Sequence, residues 1–155
     1  MNHQRPSKDE YFMQLAQVVA SRSTCPKAQV GAVLVKDGSI ISTGYNGAPL
    51  GEPHCDEAGH NESPDGHCQR AVHAELNAVL QAAKHGNATN GSTLYMTHFP
   101  CNHCLKAIRN AGIKEIVYGT PYKTHENFIS LDHFKLRQVT IKVQKPATPS
   151  KKLTI

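Results

Sequence analysis

The sequence predicts an α/β fold in one domain, a sandwich built on a mixed sheet that is parallel in its second half. Three observations point there. At 155 residues the chain has room for one hydrophobic core. Two β-branched runs, Val30–Val35 and Ile40–Thr43, face each other across Lys36-Asp37-Gly38, and an Asp-Gly between such runs is a strong hairpin signal. After the hairpin, helical and extended patterns alternate to the end, the order expected of a sheet covered by helices.

The elements follow in turn. Tyr11, Phe12, Leu15, Val18 and Val19 recur at helical spacing, so a first helix is expected over Asp9–Ser23, closed by Ser23-Thr24-Cys25-Pro26. The hairpin comes next. A second helix spans Ala71–Ala83, with Val72, Leu76, Val79, Leu80 and Ala83 on one stripe and His73 in its first turn. Thr93–Thr97 reads as a strand. Pro100 suits the first position of a further helix that Gly112 stops. A strand at Glu115–Tyr118, a helix over His125–Phe134 and an alternating last strand at Val139–Val143 complete the domain, which is placed at 1–145. Residues 146–155 read as a loosely held tail.

The segment 44–69 is different in kind. Gly47, Gly51, Gly59, Gly66, Pro49, Pro53 and Pro64 break it, and apolar periodicity is absent. A loop of this length inside a compact domain is usually functional or stapled.

Composition narrows the context. The first residues, Met1–Lys8, lack an apolar run, and no stretch is long and apolar enough for a membrane span. Five cysteines among ten histidines argue for metal binding in a reducing compartment, so a cytoplasmic location is expected. The formal charge of +5 suits an anionic substrate, although Lys145, Lys151 and Lys152 of the tail supply part of it.

Two short motifs carry the chemistry. Ala71-Val72-His73-Ala74-Glu75-Leu76 opens one helix and Pro100-Cys101-Asn102-His103-Cys104 opens another. Cys101 and Cys104 are three apart, so their thiols share one face of a turn, and a helix start favours the thiolate form. His73, Cys101 and Cys104 thus offer one imidazole and two thiolates, three of the four ligands of tetrahedral zinc, with the fourth position left for water. Glu75 stands near enough to move protons between that water and a substrate without binding the metal. Read alone, the cysteine pair fits a redox motif or half of a zinc knuckle. Neither accounts for His73 and Glu75.

A second set lies in the loop. Cys25, Cys55, His60 and Cys68 supply three thiols and an imidazole, enough for a closed structural zinc site that would offset the ordering entropy of the loop. His67 adjoins Cys68 and competes with it for the fourth place; His54, beside Cys55, is set aside.

With these residues in place, the sequence resembles the zinc-dependent cytidine and deoxycytidylate deaminase superfamily, whose signature is His-x-Glu followed by Pro-Cys-x-x-Cys. Thr24-Cys25-Pro26, Val30-Gly31-Ala32-Val33, Gly44-Tyr45-Asn46-Gly47, His73–Ala78 and Ala111-Gly112-Ile113-Lys114 bring it nearest to the deoxycytidylate (dCMP) deaminase branch. The likeness covers Cys25 to about Tyr122. It implies a three-layer α/β/α sandwich around a five-stranded sheet, and hydrolytic deamination of dCMP to dUMP and ammonia, feeding thymidylate synthesis. It also implies Glu75 as the catalytic proton shuttle, and the Ala74 N–H, the Asn46 side chain and Tyr122 at the substrate, with Tyr118 competing for that last role. The family is often hexameric and regulated by dCTP and dTTP, effectors that would carry Mg2+ and that Tyr45, Asn46 and Gly47 would help to hold. Arg70, Lys84 and Lys123 are candidates for the 5′-phosphate. The rivals are a deaminase of another base, such as cytidine, tRNA adenosine or guanine, and a non-catalytic zinc module on nucleic acid. The second lacks the interleaved aromatics of a single-strand binding face.

Overall fold

Ser7 starts the first helix by a reciprocal cap: its hydroxyl accepts the Glu10 N–H at 3.2 Å while the Glu10 carboxylate accepts the Ser7 N–H at 2.7 Å. The resulting α1 spans Lys8–Ala20 in a computed structural model that describes residues 4–121 and 129–141. It ends three residues before the expected Ser23. The Ser21 hydroxyl turns back to the Val18 carbonyl at 2.6 Å, and the Thr24 N–H is drawn across to the Asn46 carbonyl at 3.0 Å.

β1 (Gly31–Lys36) and β2 (Ser39–Tyr45) form the hairpin. Asp37 and Gly38 both sit at positive φ, 50° and 78°, the two left-handed positions of a type I′ turn. Then follow α2 (Cys55–Ala58), α3 (Ala74–Lys84), β3 (Thr93–His98), α4 (Asn102–Asn110), β4 (Glu115–Thr120), a 3-10 turn at Leu131–His133 and β5 (Lys135–Gln138). The sheet order is β2-β1-β3-β4-β5. β1 runs antiparallel to β2 and β3, while β3, β4 and β5 are mutually parallel. The mixed five-stranded sheet is the one the sequence predicts.

Strand alternation sorts the core into two layers. Val33, Val35, Tyr95 and Val117 face Phe12, Met13 and Ala16 of α1. Ala32, Leu34, Leu94, Met96 and Ile116 face the other way, onto Ala74, Ala78 and Ala82 of α3 and Leu105 and Ile108 of α4. Both helix layers ride close to the sheet because glycine lies beneath them. A Cβ on Gly31 would stand 2.0 Å from the Ala16 carbonyl oxygen, and one on Gly44 would stand 2.2 Å from that of Ala74.

The carboxyl-terminal region departs from expectation. Among the described residues the last strand is Lys135–Gln138, four residues before the expected Val139–Val143, of which positions 142 and 143 lie outside them. In it Leu136 alone packs on the core, while Arg137 reaches Asp9 and Glu115, so charge hides the alternation. Val139 and Ile141 lie beyond the strand and pack beside α1. Of the helix expected over His125–Phe134, the described part is the 3-10 turn. Tyr122, Lys123 and the tail at 146–155 lie outside the described residues.

Candidate active site

Gly47 and Val72 grip each other through two backbone hydrogen bonds of 3.3 and 2.8 Å. That bridge keeps the chain extended as far as His73, which therefore caps α3 and does not stand in its first turn as the sequence suggested. The same happens at α4. The Phe99 N–H bonds the Thr120 carbonyl at 2.9 Å, carrying the strand line past β3, so Pro100 precedes the cap and Cys101 occupies it. Both caps open beside the carboxyl end of β3, where α/β folds place ligands.

The donors converge there. His73 Nδ1 lies 3.6 Å from Cys101 Sγ and 3.5 Å from Cys104 Sγ. A tetrahedral zinc with nitrogen at about 2.0 Å and sulfur at about 2.3 Å would hold such a pair about 3.5 Å apart. The donor set fits zinc. The hydrogen bond from Cys104 holds the Cys101 thiol down to about 3, against the pull of burial, with His73 and the Cys104 backbone N–H adding to it. Cys104 rises in consequence. A Glu75 carboxylate oxygen lies within 4.8 Å of all three donors. Glu75 is 3% exposed, and this burial raises its pKa above the ordinary carboxylate range.

Glu75, His73 and Cys101 line a cavity of about 160 Å³ with Asn46, Met96 and Phe99. A cavity of about 150 Å³ admits one benzene ring. The space is that of a single six-membered ring.

A second cluster lies beside the first. Cys25, Cys55, His60 and Cys68 place one donor atom each within 4.8 Å of one another. Cys55 and Cys68 are 3.5 Å apart sulfur to sulfur, and Cys25 Sγ is 3.4 Å from His60 Nδ1. Burial pushes the Cys55 thiol up to about 12. For Cys68 burial is outweighed by the N–H groups of Ala71 and Arg70, which bring it down to about 7.

The profile of the cytidine and deoxycytidylate deaminase zinc-binding region matches residues 6–120. The chain belongs to this deaminase family. A Bacillus subtilis protein named ComE operon protein 2 is 47% identical over 122 residues, 79% of this chain and 64% of that protein. The deoxycytidylate deaminase of Schizosaccharomyces pombe is 40% identical over 137 residues, 84% of this chain but 42% of the yeast enzyme. The chain thus spans less than two thirds of the length of either relative. Among solved structures, the dCMP deaminase of cyanophage S-TIM5 in complex with dCMP and dUMP superposes with a TM-score of 0.74 at 33% identity, covering 88% of this chain and all of that one.

The other residues expected to act in a deaminase of this family fall as follows. Asn46 lines the cavity, and its Oδ1 accepts the Ala74 N–H at 2.9 Å while its amide donates to the Ala28 carbonyl at 3.1 Å. Ala74 itself is buried and does not line the cavity. Tyr45 and Gly47 border a different space, a groove of about 520 Å³ between β2, α3 and the loop at 48–52. Arg70 donates to the Gly59 carbonyl, and Lys84 stands in the last turn of α3; neither lines the cavity.

Sequence reasoning passed over Lys27 and His98, and it weighed His67 only as a metal ligand; all three line the cavity. The signals were present. Lys27 follows Cys25 by two residues, and His98 immediately precedes Phe99-Pro100-Cys101. The His67 ring stacks on His73 with centroids 5.6 Å apart.

Proposed function

We propose that this protein is a zinc-dependent deaminase that converts dCMP to dUMP and ammonia. The observation that carries the reading is the convergence of His73 Nδ1 and two thiols beside a buried carboxylate, with His73, Cys101 and Glu75 lining a cavity the size of one pyrimidine ring. The cyanophage enzyme that holds dCMP and dUMP supports the choice of substrate.

His73, Cys101 and Cys104 would hold the zinc, which supplies a Lewis acid that makes water nucleophilic at neutral pH. Glu75 takes a proton from the attacking water, delivers it to ring N3 and later helps protonate the departing ammonia. Burial suits it to this work, because a raised pKa makes the carboxylate a better base near neutral pH. Asn46 meets the base or sugar with its free amide valences, and Ala74 acts by fixing the Asn46 side chain. Phe99 and Met96 line the ring space and exclude water.

Three further parts belong to the same reading. Cys25, Cys55, His60 and Cys68 hold a second, structural zinc; their separations are close to those a tetrahedral ion imposes on thiolates and imidazole. The groove beside Tyr45 and Gly47 takes a nucleotide effector with its Mg2+, and the enzyme works as a homo-oligomer, both by likeness to the family. It acts in the cytoplasm, a location that suits five free cysteines.

The test is conversion of dCMP by purified, zinc-replete protein, with dUMP identified by mass spectrometry. Chelation should abolish the conversion and added zinc should restore it. Failure to form dUMP under zinc-replete conditions would refute the assignment.

A further inference from the structure

A cavity with room for one ring leaves the sugar and 5′-phosphate of a nucleotide at its mouth. A phosphate monoester carries about 1.5 to 2 negative charges at neutral pH, and a cation within reach gives it a charge-assisted hydrogen bond, roughly twice as strong as a neutral one. Among the described residues that line the cavity, Lys27 is the single lysine or arginine. Its side chain is 41% exposed, which puts it at the open end, away from the buried Glu75.

Lys27 is held in place. Its ammonium donates to Glu62 Oε1 at 2.5 Å and to the Gly66 carbonyl. An ammonium has three donors, so one N–H is left. The segment that carries Lys27 leads out of the second cysteine and histidine cluster. Lys27 follows Cys25 by two residues, and Glu62 accepts from His60 Nε2 at 3.3 Å.

We propose that Lys27 binds the 5′-phosphate of the substrate and so selects nucleoside monophosphates over nucleosides, with the second cluster as the mount that presents its ammonium. The proposal rests on the deaminase reading above. Without substrate, Glu62 balances the Lys27 charge in the open, where such a pair is weak. The phosphate carries more charge than one carboxylate and takes over the ammonium while the Gly66 carbonyl still steadies it.

The bland reading is a latch, in which Lys27 merely ties the loop at 62–66 to the segment before β1. The two readings separate in the ratio of kcat/KM for dCMP over deoxycytidine. Lys27→Gln should lower that ratio roughly ten- to hundred-fold, mainly through KM for dCMP, as expected for loss of a charged hydrogen bond. Lys27→Arg should recover most of it. Glu62→Gln removes the latch partner yet leaves the ammonium, so it should keep the ratio. A Lys27→Gln ratio equal to that of the wild type, or a Glu62→Gln loss matching that of Lys27→Gln, would make Lys27 a latch and overturn the proposal. A wild-type protein equally active on both substrates would strike the monophosphate reading itself, before any variant is compared.

Discussion

Gly44 of β2 lies so close beneath Ala78 of α3 that a Cβ on the glycine would stand 2.4 Å from the Ala78 backbone nitrogen. No side chain can yield there, because the obstacle is backbone. The contact sets the depth of α3, whose cap and first turn carry His73 and Glu75 into the site. Gly44→Ala should therefore destabilise the fold by about 1–3 kcal/mol or more, as overpacking does, and weaken zinc binding as well. Gly38→Ala is the control. Its left-handed φ of 78° costs some strain, but a Cβ there meets nothing, so the loss should be on the order of 1 kcal/mol with the site intact. Denaturant melts and metal analysis of the two variants check this.

Glu75 and the three donors should part company under mutation. Glu75→Gln should lower turnover by at least the roughly 10²–10⁴-fold typical of general acid–base groups, with the catalytic zinc retained. His73→Ala, Cys101→Ala and Cys104→Ala should lose that metal. Zinc content measured beside kcat decides it; loss of zinc in Glu75→Gln would contradict the role of proton carrier.

The Tyr95 hydroxyl donates to Asp9 Oδ1 at 2.8 Å, and Asp9 in turn pairs with Arg137, which also bonds Glu115 at 2.5 Å. Burial raises the Tyr95 pKa from 10.0 to about 12, with the Asp9 bond adding to it. Between these values the folded state holds a proton that the unfolded state has released, so stability falls as pH rises through this window. The loss should be on the order of 1–2 kcal/mol. Tyr95→Phe should remove this part of the slope, read from urea melts between about pH 9 and 12.

The hairpin and the first cluster were legible because their determinants are local. Asp37-Gly38 names its own turn, and His73-x-Glu75 with Pro100-Cys101-x-x-Cys104 names its own chemistry. β5 was not legible. It has one inward residue, Leu136, and its other anchor is an ion pair between Arg137 and Asp9, 128 positions apart. The extended run into His73 was equally hidden, because it depends on pairing with Gly47 across the long loop. Lys27 belongs to no motif that the sequence singled out, and it is the fold that places it at the cavity.

The second cluster makes a prediction of its own. Metal-replete protein should hold two zinc ions per chain, and Cys55→Ala should hold about one. That variant should also be cut faster by proteases within 44–69, since a metal bound there would contribute to the folding free energy of the loop. Equal protease resistance and unchanged stoichiometry in Cys55→Ala would remove the structural role.

Ammonia release measured on one zinc-replete preparation across dCMP, CMP, deoxycytidine, cytidine, adenosine and guanine bears most directly on what this site does. The geometry around Glu75 and Lys27 predicts the highest kcat/KM on dCMP, with deoxycytidine lower by roughly ten-fold or more. A preference for adenosine or guanine, or no ammonia from any cytosine compound, would contradict it.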